Sequence, residues 1–305
     1  MVFPMSETVR ARVERLEIPF NRHGIDPYGI DRDTLIKVFS VLEPLYHRYF
    51  DVHVFGLEHV PTRGRAMIVG NHSGGWALDG VITACSTFFG KEPPRLCQAM
   101  AEKFMNRIPM LGLLTQRTGN VTGLPENAIH LLENDRLLLV YPEGARGTEK
   151  LYPARHDLVE FGTGFLRLAL RTGSPIIPVG FVGGGEAIPT IVNLYRIAKL
   201  VGVPYIPVTP WGVALPRPTT LQVYFGPPLR FEGRGNEATL HGELLGGNPM
   251  PHVWLYYGTT NGGSDAADWD LGVIDEGTPG DWTFSGVATG LLGGASYWYN
   301  CFASN

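Results

Sequence analysis

Strand-like apolar runs alternate along residues 51–225 with segments in which apolar positions recur every three or four residues. Short apolar runs are typical of buried parallel strands, and the longer period is typical of helices. The alternation therefore predicts an α/β fold, a mixed sheet with flanking crossover helices. The predicted strands are 51–55, 67–69, 136–141, 175–182 and 220–225, and the predicted helices between them are 79–89, 125–134 and 164–171.

A helical region is predicted ahead of the first strand, at residues 1–50. Residues 6–17 have a charge-rich helical pattern that Pro19 ends, and Asp31 or Asp33 can cap a second helix that runs to about Phe50. This second helix has a wide apolar stripe that is rich in aromatic residues. Two interpretations stay open: the stripe packs on the protein's own core, or it lies in a lipid interface.

The predicted strand 67–69 leads into a loop that carries candidate chemistry. Glycines follow the strand directly, so we expect Asn71 and His72 to lie where it ends, at the edge where open α/β sheets have their sites. An imidazole can take a proton from a hydroxyl when a partner fixes its tautomer, and Asp79 is the nearest carboxylate downstream. The loop thus indicates a general base and its orienting group; the alternative is an ordinary glycine-rich turn.

A second polar loop follows the buried strand 136–141. Glu143, Arg146 and Lys150 lie in it together with two glycines, so polar groups again follow the carboxyl end of a strand. Arg117 ends a separate apolar run, and it is either a solvated surface residue or a guanidinium that binds phosphate. Two such loops favour a functional site over a chance turn.

The distribution of charged residues changes near Asn236. All 25 Lys and Arg precede that residue, whereas residues 237–305 contain no Lys or Arg, eight Asp and Glu, and four of the six Trp. This shift predicts one domain at 1–236 and a second at 237–305. The second segment alternates as short strands, at 238–244, 253–258, 282–286 and 295–303, between Gly- and Asn-rich turns, so it is predicted to be all-β.

The cysteines and the hydropathy of the sequence indicate in which cellular compartment the protein works. Three cysteines without metal-ligand spacing indicate no disulfide framework, and the sequence contains neither a long uncharged apolar run nor a signal-peptide pattern. We therefore expect a cytoplasmic protein. Asp265, Asp268 and Asp270 could be the ligands of a calcium site. Their spacing does not match a known calcium-binding loop, however, so a solvated acidic turn is the better interpretation.

Four ordered blocks resemble those of the glycerolipid acyltransferase family, which includes the lysophosphatidate acyltransferases. The blocks are residues 71–75 with Asp79, then Arg117, then 142–147, then 175–179, and the resemblance covers about 35–232. It implies an acyltransferase-type sheet and transfer of a fatty acyl group from acyl-CoA or acyl carrier protein to the hydroxyl of a lysophospholipid or glycerol-phosphate. It also implies no cofactor beyond that co-substrate, no metal, no nucleic acid, and peripheral contact with the inner face of a membrane.

By this resemblance His72 is the general base and Asp79 its partner. The acceptor-phosphate and substrate residues that it implies are Asn71, Ser73, Gly74, Arg117, Glu143, Gly144 and Arg146. Glu143 is expected to orient Arg146 or to bind a hydroxyl. One departure concerns the spacing: six residues separate His72 from Asp79, where the family's usual motif has four.

The segment 237–305 resembles a fibronectin type III-type module of secreted bacterial proteins that stops before its final strand, an incomplete sandwich. Such modules normally work outside the cell, so a rival function is a secreted or surface binding protein whose acyltransferase half is inactive. Hydrolysis of a thioester or lysolipid is a rival within the enzyme class, because the same base can activate water. A serine hydrolase is disfavoured, since no Gly-x-Ser-x-Gly elbow occurs.

Overall fold

The structure is a computed structural model of the 305-residue chain. It describes residues 5–75, 77–102, 104–105, 111–213, 215–231, 233–234, 237–243, 251–279, 283–291, 295 and 297–304. Two compact units are distinguished, one comprising Met1–Leu168 with Ser174–Pro228 and the other Ala169–Gly173 with Leu229–Asn305. The predicted boundary at Asn236 lies outside the described residues, and the two-domain division stays a prediction.

The first unit contains a mixed sheet and a small three-stranded sheet. Its strands are β1 Val52–Phe55, β2 Ala66–Gly70, β3 Cys97–Ala101, β4 Val121–Thr122, β5 Leu137–Val140, β6 Ile176–Val182, β7 Val192–Asn193, β8 Pro207–Thr209, β9 Gly212–Val213 and β10 Leu221–Phe225. The mixed sheet has the order β1-β10-β6-β2-β5-β3-β4 and is parallel except where β10 pairs with β6. Strands β7, β8 and β9 form the small antiparallel sheet.

Helices flank the mixed sheet. They are α1 Glu7–Glu14, α2 Arg32–Pro44, α3 Leu78–Phe89, α4 Leu111–Arg117, α5 Pro125–Glu133, α6 Ala145–Thr148, α7 Gly164–Thr172, α8 Gly184–Ala187 and α9 Tyr195–Val201. A π-helical turn, Leu45–Tyr49, continues α2. The predicted α/β class is confirmed, and every strand and helix predicted within 51–225 has a counterpart. The elements of this region that were not predicted are strands β3, β4, β7, β8 and β9 and helices α4, α6, α8 and α9.

The aromatic stripe of α2 packs mainly on the protein's own core. Leu35, Ile36 and Phe39 are buried, and the rings of Phe39 and Phe88 stack with centroids 4.0 Å apart. Asp31 caps the helix by accepting a hydrogen bond from the backbone N–H of Thr34 at 2.7 Å. For these buried residues, the interpretation that the stripe packs on the protein's own core is therefore the correct one.

The described part of residues 229–305 is built mainly of β-strands, as predicted for the C-terminal segment. Its strands are β11 Gly233–Arg234, β12 Glu237–Glu243, β13 His252–Gly258, β14 Gly272–Gly277, β15 Thr283–Ala288 and β16 Trp298–Ser304. They form two antiparallel sheets, β11-β12-β15 and β14-β13-β16, around a small apolar cluster. The predicted strands that begin at Trp282 and Ala295 lie partly outside the described residues. The fibronectin type III-type resemblance stays a prediction.

Two of the three acidic residues considered as calcium ligands accept hydrogen bonds from nearby backbone N–H groups. Asp265 accepts from the backbone N–H of Ala267 at 2.9 Å, and Asp270 accepts from that of Thr259 at 2.8 Å. In the described part of the chain, no group of three or more His, Cys, Asp or Glu side chains could hold a metal ion. Such turn bonds are what a solvated acidic turn is expected to make.

Candidate active site

The two predicted polar loops meet at one edge of the mixed sheet. Strands β2 and β5 are parallel neighbours, with Val69 level with Val140. Because parallel neighbours end at the same edge, the residues that follow Gly70 and Tyr141 are brought together there. His72 and Glu143 are consequently in contact: the backbone N–H of His72 donates to Oε1 of Glu143 at 2.7 Å.

A tight turn returns the chain from β2 to the start of α3. Gly74 and Gly75 have φ of +87° and +57°, and Ala77, which precedes α3, has φ of +58°. Left-handed conformations reverse the chain over few residues, and glycine adopts them at low cost. Asp79, in the first turn of α3, thereby lies beside the imidazole, and Nδ1 of His72 is 2.7 Å from its Oδ2. The six intervening residues are accommodated by this turn.

Asp79 is fully buried and acts as a hydrogen-bond acceptor on both oxygens. Its Oδ2 accepts from the backbone N–H of Ser73 at 2.7 Å, and its Oδ1 accepts from that of Gly80 at 2.7 Å. A carboxylate that accepts these bonds also accepts from Nδ1–H of His72, which fixes the neutral imidazole in the tautomer with a free lone pair on Nε2. The His72 side chain is 13% exposed, so substrate can reach the ring.

Tyr141 covers one face of the imidazole. The two rings are parallel, with centroids 4.2 Å apart and 1° between their planes. Its hydroxyl lies 3.3 Å from Oγ1 of Thr83, and burial, together with the nearby Asp79 carboxylate, raises the pKa of the phenol. The phenol therefore stays protonated and neutral at physiological pH, and its ring restricts the imidazole to the plane of the Asp79 contact.

Glu143 is buried, and its carboxylate accepts hydrogen bonds from three protein donors. Oε1 accepts from the N–H of His72, while Oε2 accepts from Nζ of Lys150 and from the N–H of Val159, both at 2.9 Å. The expectation that Glu143 orients Arg146 is wrong, because its oxygens are engaged by Lys150 and two backbone donors. Glu143 instead ties the His72 loop to the loop that follows β5.

The other residues predicted from the first loop shape the site. The Asn71 side chain pairs with the backbone of Phe181 in β6, with Nδ2 donating to the carbonyl at 3.0 Å and Oδ1 accepting from the N–H at 2.8 Å. Ser73 is buried against Gly184, where an added Cβ would lie within van der Waals overlap of the Ser73 hydroxyl. Gly74 provides part of the turn. These positions hold the loop, and their contact with substrate stays a prediction.

Glycines in the second loop permit its close approach to His72. Gly144 has φ of +59° and ψ of −154°, a conformation open essentially to glycine. A Cβ added to Gly147 would lie 2.6 Å from Cβ of His72 and 2.8 Å from Cβ of Glu143. The two loops can therefore pack together only because position 147 has no side chain.

The two predicted phosphate-binding arginines have different positions. Arg117 ends α4, and its carbonyl accepts from the N–H of Asp31 at 3.0 Å. Two residues later, the carbonyl of Gly119 accepts from the side chain of Gln98, which is level with Leu138 early in β5. The chain then enters β4, where Val121 is level with Met100 near the carboxyl end of β3. The binding of an acceptor phosphate by Arg117 stays a prediction.

Arg146 lies in the second loop, as predicted, and is exposed. Its guanidinium donates to the backbone carbonyl of Glu160 at 3.2 Å. This leaves Arg146 as the predicted phosphate residue whose backbone belongs to the same loop as Glu143.

A cavity of about 290 Å³ adjoins the two loops. Its charged lining includes Lys150, Arg155, Asp157 and Glu186, and its apolar floor is the glycine-rich end of β6. Arg155 and Glu186 are paired at 2.7 Å, and Lys150 is paired with Glu143. A larger cavity of about 540 Å³ lies elsewhere, around Tyr28, Arg95 and Arg136, and contains none of the predicted site residues.

Tyr141 and Lys150 contact the candidate catalytic residues, and sequence reasoning had assigned neither of them a role. A signal for each was present: Tyr141 is the last residue of a buried run directly before the Pro142–Glu143 loop, and Lys150 lies in the charged cluster of that loop. The stacked ring and the buried ion pair depend on side-chain geometry, which periodicity does not convey.

Within the described residues, no helix has both the length and the apolar character that a bilayer crossing requires.

Comparisons with known proteins place the site within a recognised domain. Residues 51–182 match the family model described as Acyltransferase. A protein of Mycobacterium leprae, named only as uncharacterized, is 31% identical over 217 residues, which cover 68% of this chain and 59% of that protein. A human protein named DGAT1/2-independent enzyme synthesizing storage lipids is 26% identical over 212 residues, covering 66% of this chain and 60% of that protein.

These matches span about three fifths of the relatives' own length. Among solved structures, the 1-acyl-sn-glycerophosphate (LPA) acyltransferase PlsC of Thermotoga maritima matches with a TM-score of 0.44 and 22% identity, covering 66% of this chain and 72% of that one. The matched segment 51–182 contains His72, Asp79 and Glu143. The prediction of an acyltransferase-type enzyme is therefore confirmed at the level of an Acyltransferase domain at residues 51–182.

Proposed function

We propose that this chain transfers a fatty acyl group from an acyl thioester to the hydroxyl of a glycerolipid acceptor, with His72 as the general base. The observation that carries the proposal is the 2.7 Å contact between Nδ1 of His72 and Asp79, whose carboxylate is buried and anchored by two backbone N–H groups. A base fixed in this way presents one defined lone pair to a substrate hydroxyl.

The reaction needs no covalent enzyme intermediate. Nε2 of His72 removes the proton as the acceptor oxygen attacks the thioester carbonyl, and the imidazolium that forms is stabilised by Asp79. Collapse of the tetrahedral intermediate breaks the C–S bond, and the thiol leaves with the proton that the imidazolium returns. General base catalysis of this kind contributes typically about 10²–10⁴-fold.

Glu143 is not a second base in this proposal. Its two oxygens already accept from Lys150, His72 and Val159, so it has a positioning role. The backbone N–H of His72 is likewise occupied by Glu143 and does not serve as an oxyanion donor. Substrate therefore meets the loop chiefly through the Nε2 edge of the imidazole.

Two classes of acceptor are distinguished by charge. A phosphate-bearing lysolipid or glycerol-phosphate would bind Arg146, the exposed cation of the second loop. An uncharged acceptor such as a diacylglycerol is the second candidate, because Lys150 and Arg155, two cations of the adjoining cavity, are paired with carboxylates. The name of the human relative, an enzyme that synthesizes storage lipids, supports the same candidate.

The donor and the location complete the proposal. Acyl-CoA or acyl carrier protein supplies the thioester, and the chain works at the inner face of a membrane as a peripheral protein of the cytoplasm. A lipid acceptor supports this location, because glycerolipids with long chains reside in bilayers rather than in solution.

A radiolabelled acyl-CoA incubated with lysophosphatidic acid, glycerol-3-phosphate or diacylglycerol tests the proposal, with product lipid and free fatty acid counted separately. Label in an acyl lipid that is lost in His72→Ala supports it, and the acceptor that gains label identifies the class. Label in free acid alone would indicate a hydrolase. Label in neither fraction, for a folded chain presented with both carriers, would contradict the proposal.

A further inference from the structure

A cluster of exposed apolar side chains occupies residues 191–217, which comprise β7, α9, β8, β9 and the chain that follows. Leu200 and Leu215 are the most exposed large hydrophobic residues in the described part of the chain, at 86% and 73%. Single exposed apolar residues are ordinary, whereas a contiguous group of them marks an interaction site. The exposed large apolar residues of this segment are Ile191, Val192, Tyr195, Ile197, Leu200, Trp211 and Leu215.

The pairing of the small sheet brings the segments that carry these side chains close together. Val192 is paired with Val208, which is paired with Val213, and α9 begins two residues after β7. Trp211 lies in the turn between β8 and β9, and its indole N–H donates to the carbonyl of Leu215 at 2.9 Å. We call residues 191–217 the hairpin surface.

The charge of the hairpin surface has one sign. It contains Arg196, Lys199 and Arg217 and no Asp or Glu. Arg196 and Lys199 are exposed on α9 beside Ile197 and Leu200, which is the mixture of cations and apolar residues found where proteins lie on anionic bilayers. The exposed leucines would suit an apolar surface of a protein partner, but the positive charge of the hairpin surface would not.

The helix that the sequence singled out for lipid contact is less suited. The stripe of α2 has its residues Leu35, Ile36 and Phe39 buried, and its exposed apolar members Val41 and Leu45 are only 41% and 37% exposed. The hairpin surface offers more apolar area to a bilayer than α2 does. It therefore replaces α2 as the candidate lipid-facing surface.

Hydrogen bonds join the hairpin surface to the active-site loops. The Tyr205 hydroxyl donates to the carbonyl of Gly75, in the His72 turn, at 2.6 Å. The Asn193 side chain donates to the carbonyl of Glu149, in the second loop, at 2.6 Å. A bilayer that contacts the hairpin surface would consequently lie close to the loops that carry His72 and Glu143.

We propose that the hairpin surface binds the anionic surface of a lipid bilayer and so brings the active-site loops to their lipid acceptor. This inference rests on the proposed function for its acceptor, but vesicle binding can be measured without any transfer. Leucines enter the interfacial region and the three cations contact anionic headgroups. Both contributions are needed for stable attachment, since either one alone gives weak binding.

Co-sedimentation of the full chain with vesicles of phosphatidylcholine, with or without phosphatidylglycerol, tests the proposal. Leu200→Ser with Leu215→Ser should lower the partition coefficient about tenfold on both vesicle types. Arg196→Gln with Lys199→Gln should lower it about tenfold on phosphatidylglycerol vesicles only, with the difference shrinking as salt rises. The matched control is Val41→Ser on α2 together with Leu45→Ser in the π-helical turn that continues it, and this variant should bind as the wild type does.

Three results would overturn the proposal. The wild-type chain would fail to bind either vesicle, or the α2 pair would weaken binding as much as the leucine pair does. Alternatively, the leucine pair would leave vesicle binding unchanged and lower the sedimentation mass of the lipid-free chain, which would mean that a second copy covers the surface. If vesicle binding follows the prediction but no acyl transfer is found, the proposed function fails and this surface assignment stands.

Discussion

The imidazole of His72 and the phenol ring of Tyr141 lie face to face, with centroids 4.2 Å apart and planes within 1°. The stack holds the imidazole in the plane of its bond to Asp79 and fills the space beneath it. It also favours the cationic ring that forms during proton transfer, because an aromatic face attracts a positive charge.

Two substitutions of Tyr141 distinguish the contribution of the aromatic ring from that of the hydroxyl. Tyr141→Phe preserves the stack and should keep kcat within about threefold of the wild type, while Tyr141→Leu should lower kcat about tenfold or more, since the imidazole can then tilt. Steady-state kinetics with saturating thioester measures the difference. Equal losses in the two variants would mean that the hydroxyl and its contact with Thr83, rather than the ring, matter.

Asp79→Asn keeps the size of the side chain but removes the carboxylate that accepts from Nδ1–H of His72. We expect kcat to fall about 10²-fold, because the amide no longer fixes the productive tautomer or stabilises the imidazolium. The loss should be smaller than that of His72→Ala, in which no base remains. Full activity of Asp79→Asn would show that the 2.7 Å contact has no part in transfer.

Gly147→Ala tests the close approach of the two loops. The new Cβ would overlap Cβ of His72, at 2.6 Å, so the base should be displaced and kcat should fall about 10²-fold. Gly164→Ala, at the start of α7 with nothing within 4 Å of its added Cβ, is the matched control and should retain full activity. Measured transfer near the wild-type rate in Gly147→Ala would contradict the packing of the loops.

The buried ion pair between Glu143 and Lys150 should contribute to folding. The two side chains are 0% and 10% exposed, and Glu143→Gln leaves the ammonium without its partner, so the free energy of unfolding should fall by about 3 kcal/mol. Glu143→Gln with Lys150→Met should recover part of that loss, as urea unfolding of the single and double variants would measure. Strictly additive losses would indicate that the pair is not coupled.

That the two polar loops lie together could be predicted from the sequence, because parallel strands determine their position. His72 and Glu143 each follow a buried apolar run, and neighbouring parallel strands end at a common edge whatever the side chains do. The distance from His72 to Asp79 was harder to predict, since it depends on left-handed conformations at Gly74, Gly75 and Ala77. Spacing along the chain does not report how tightly such a turn closes.

The errors also have physical reasons. Periodicity did not reveal helix α4, which ends at Arg117, because the placement of this segment depends on tertiary contacts such as that of Gln98 with Gly119. The apolar stripe of α2 looks the same from the sequence whether it faces a core or a lipid. The hairpin surface was overlooked because short β7, β8 and β9 lie in a region punctuated by Gly and Pro, where the period of the pattern is lost.

Acyl transfer by His72→Ala tests the central claim most directly. The variant is assayed with labelled acyl-CoA and the preferred acceptor, beside a thermal unfolding curve that establishes its fold. The account predicts an unchanged melting transition within a few degrees and a fall in kcat of about 10²–10⁴-fold, because the hydroxyl then has no base. Transfer at near the wild-type rate by the folded variant would show that His72 is not the base.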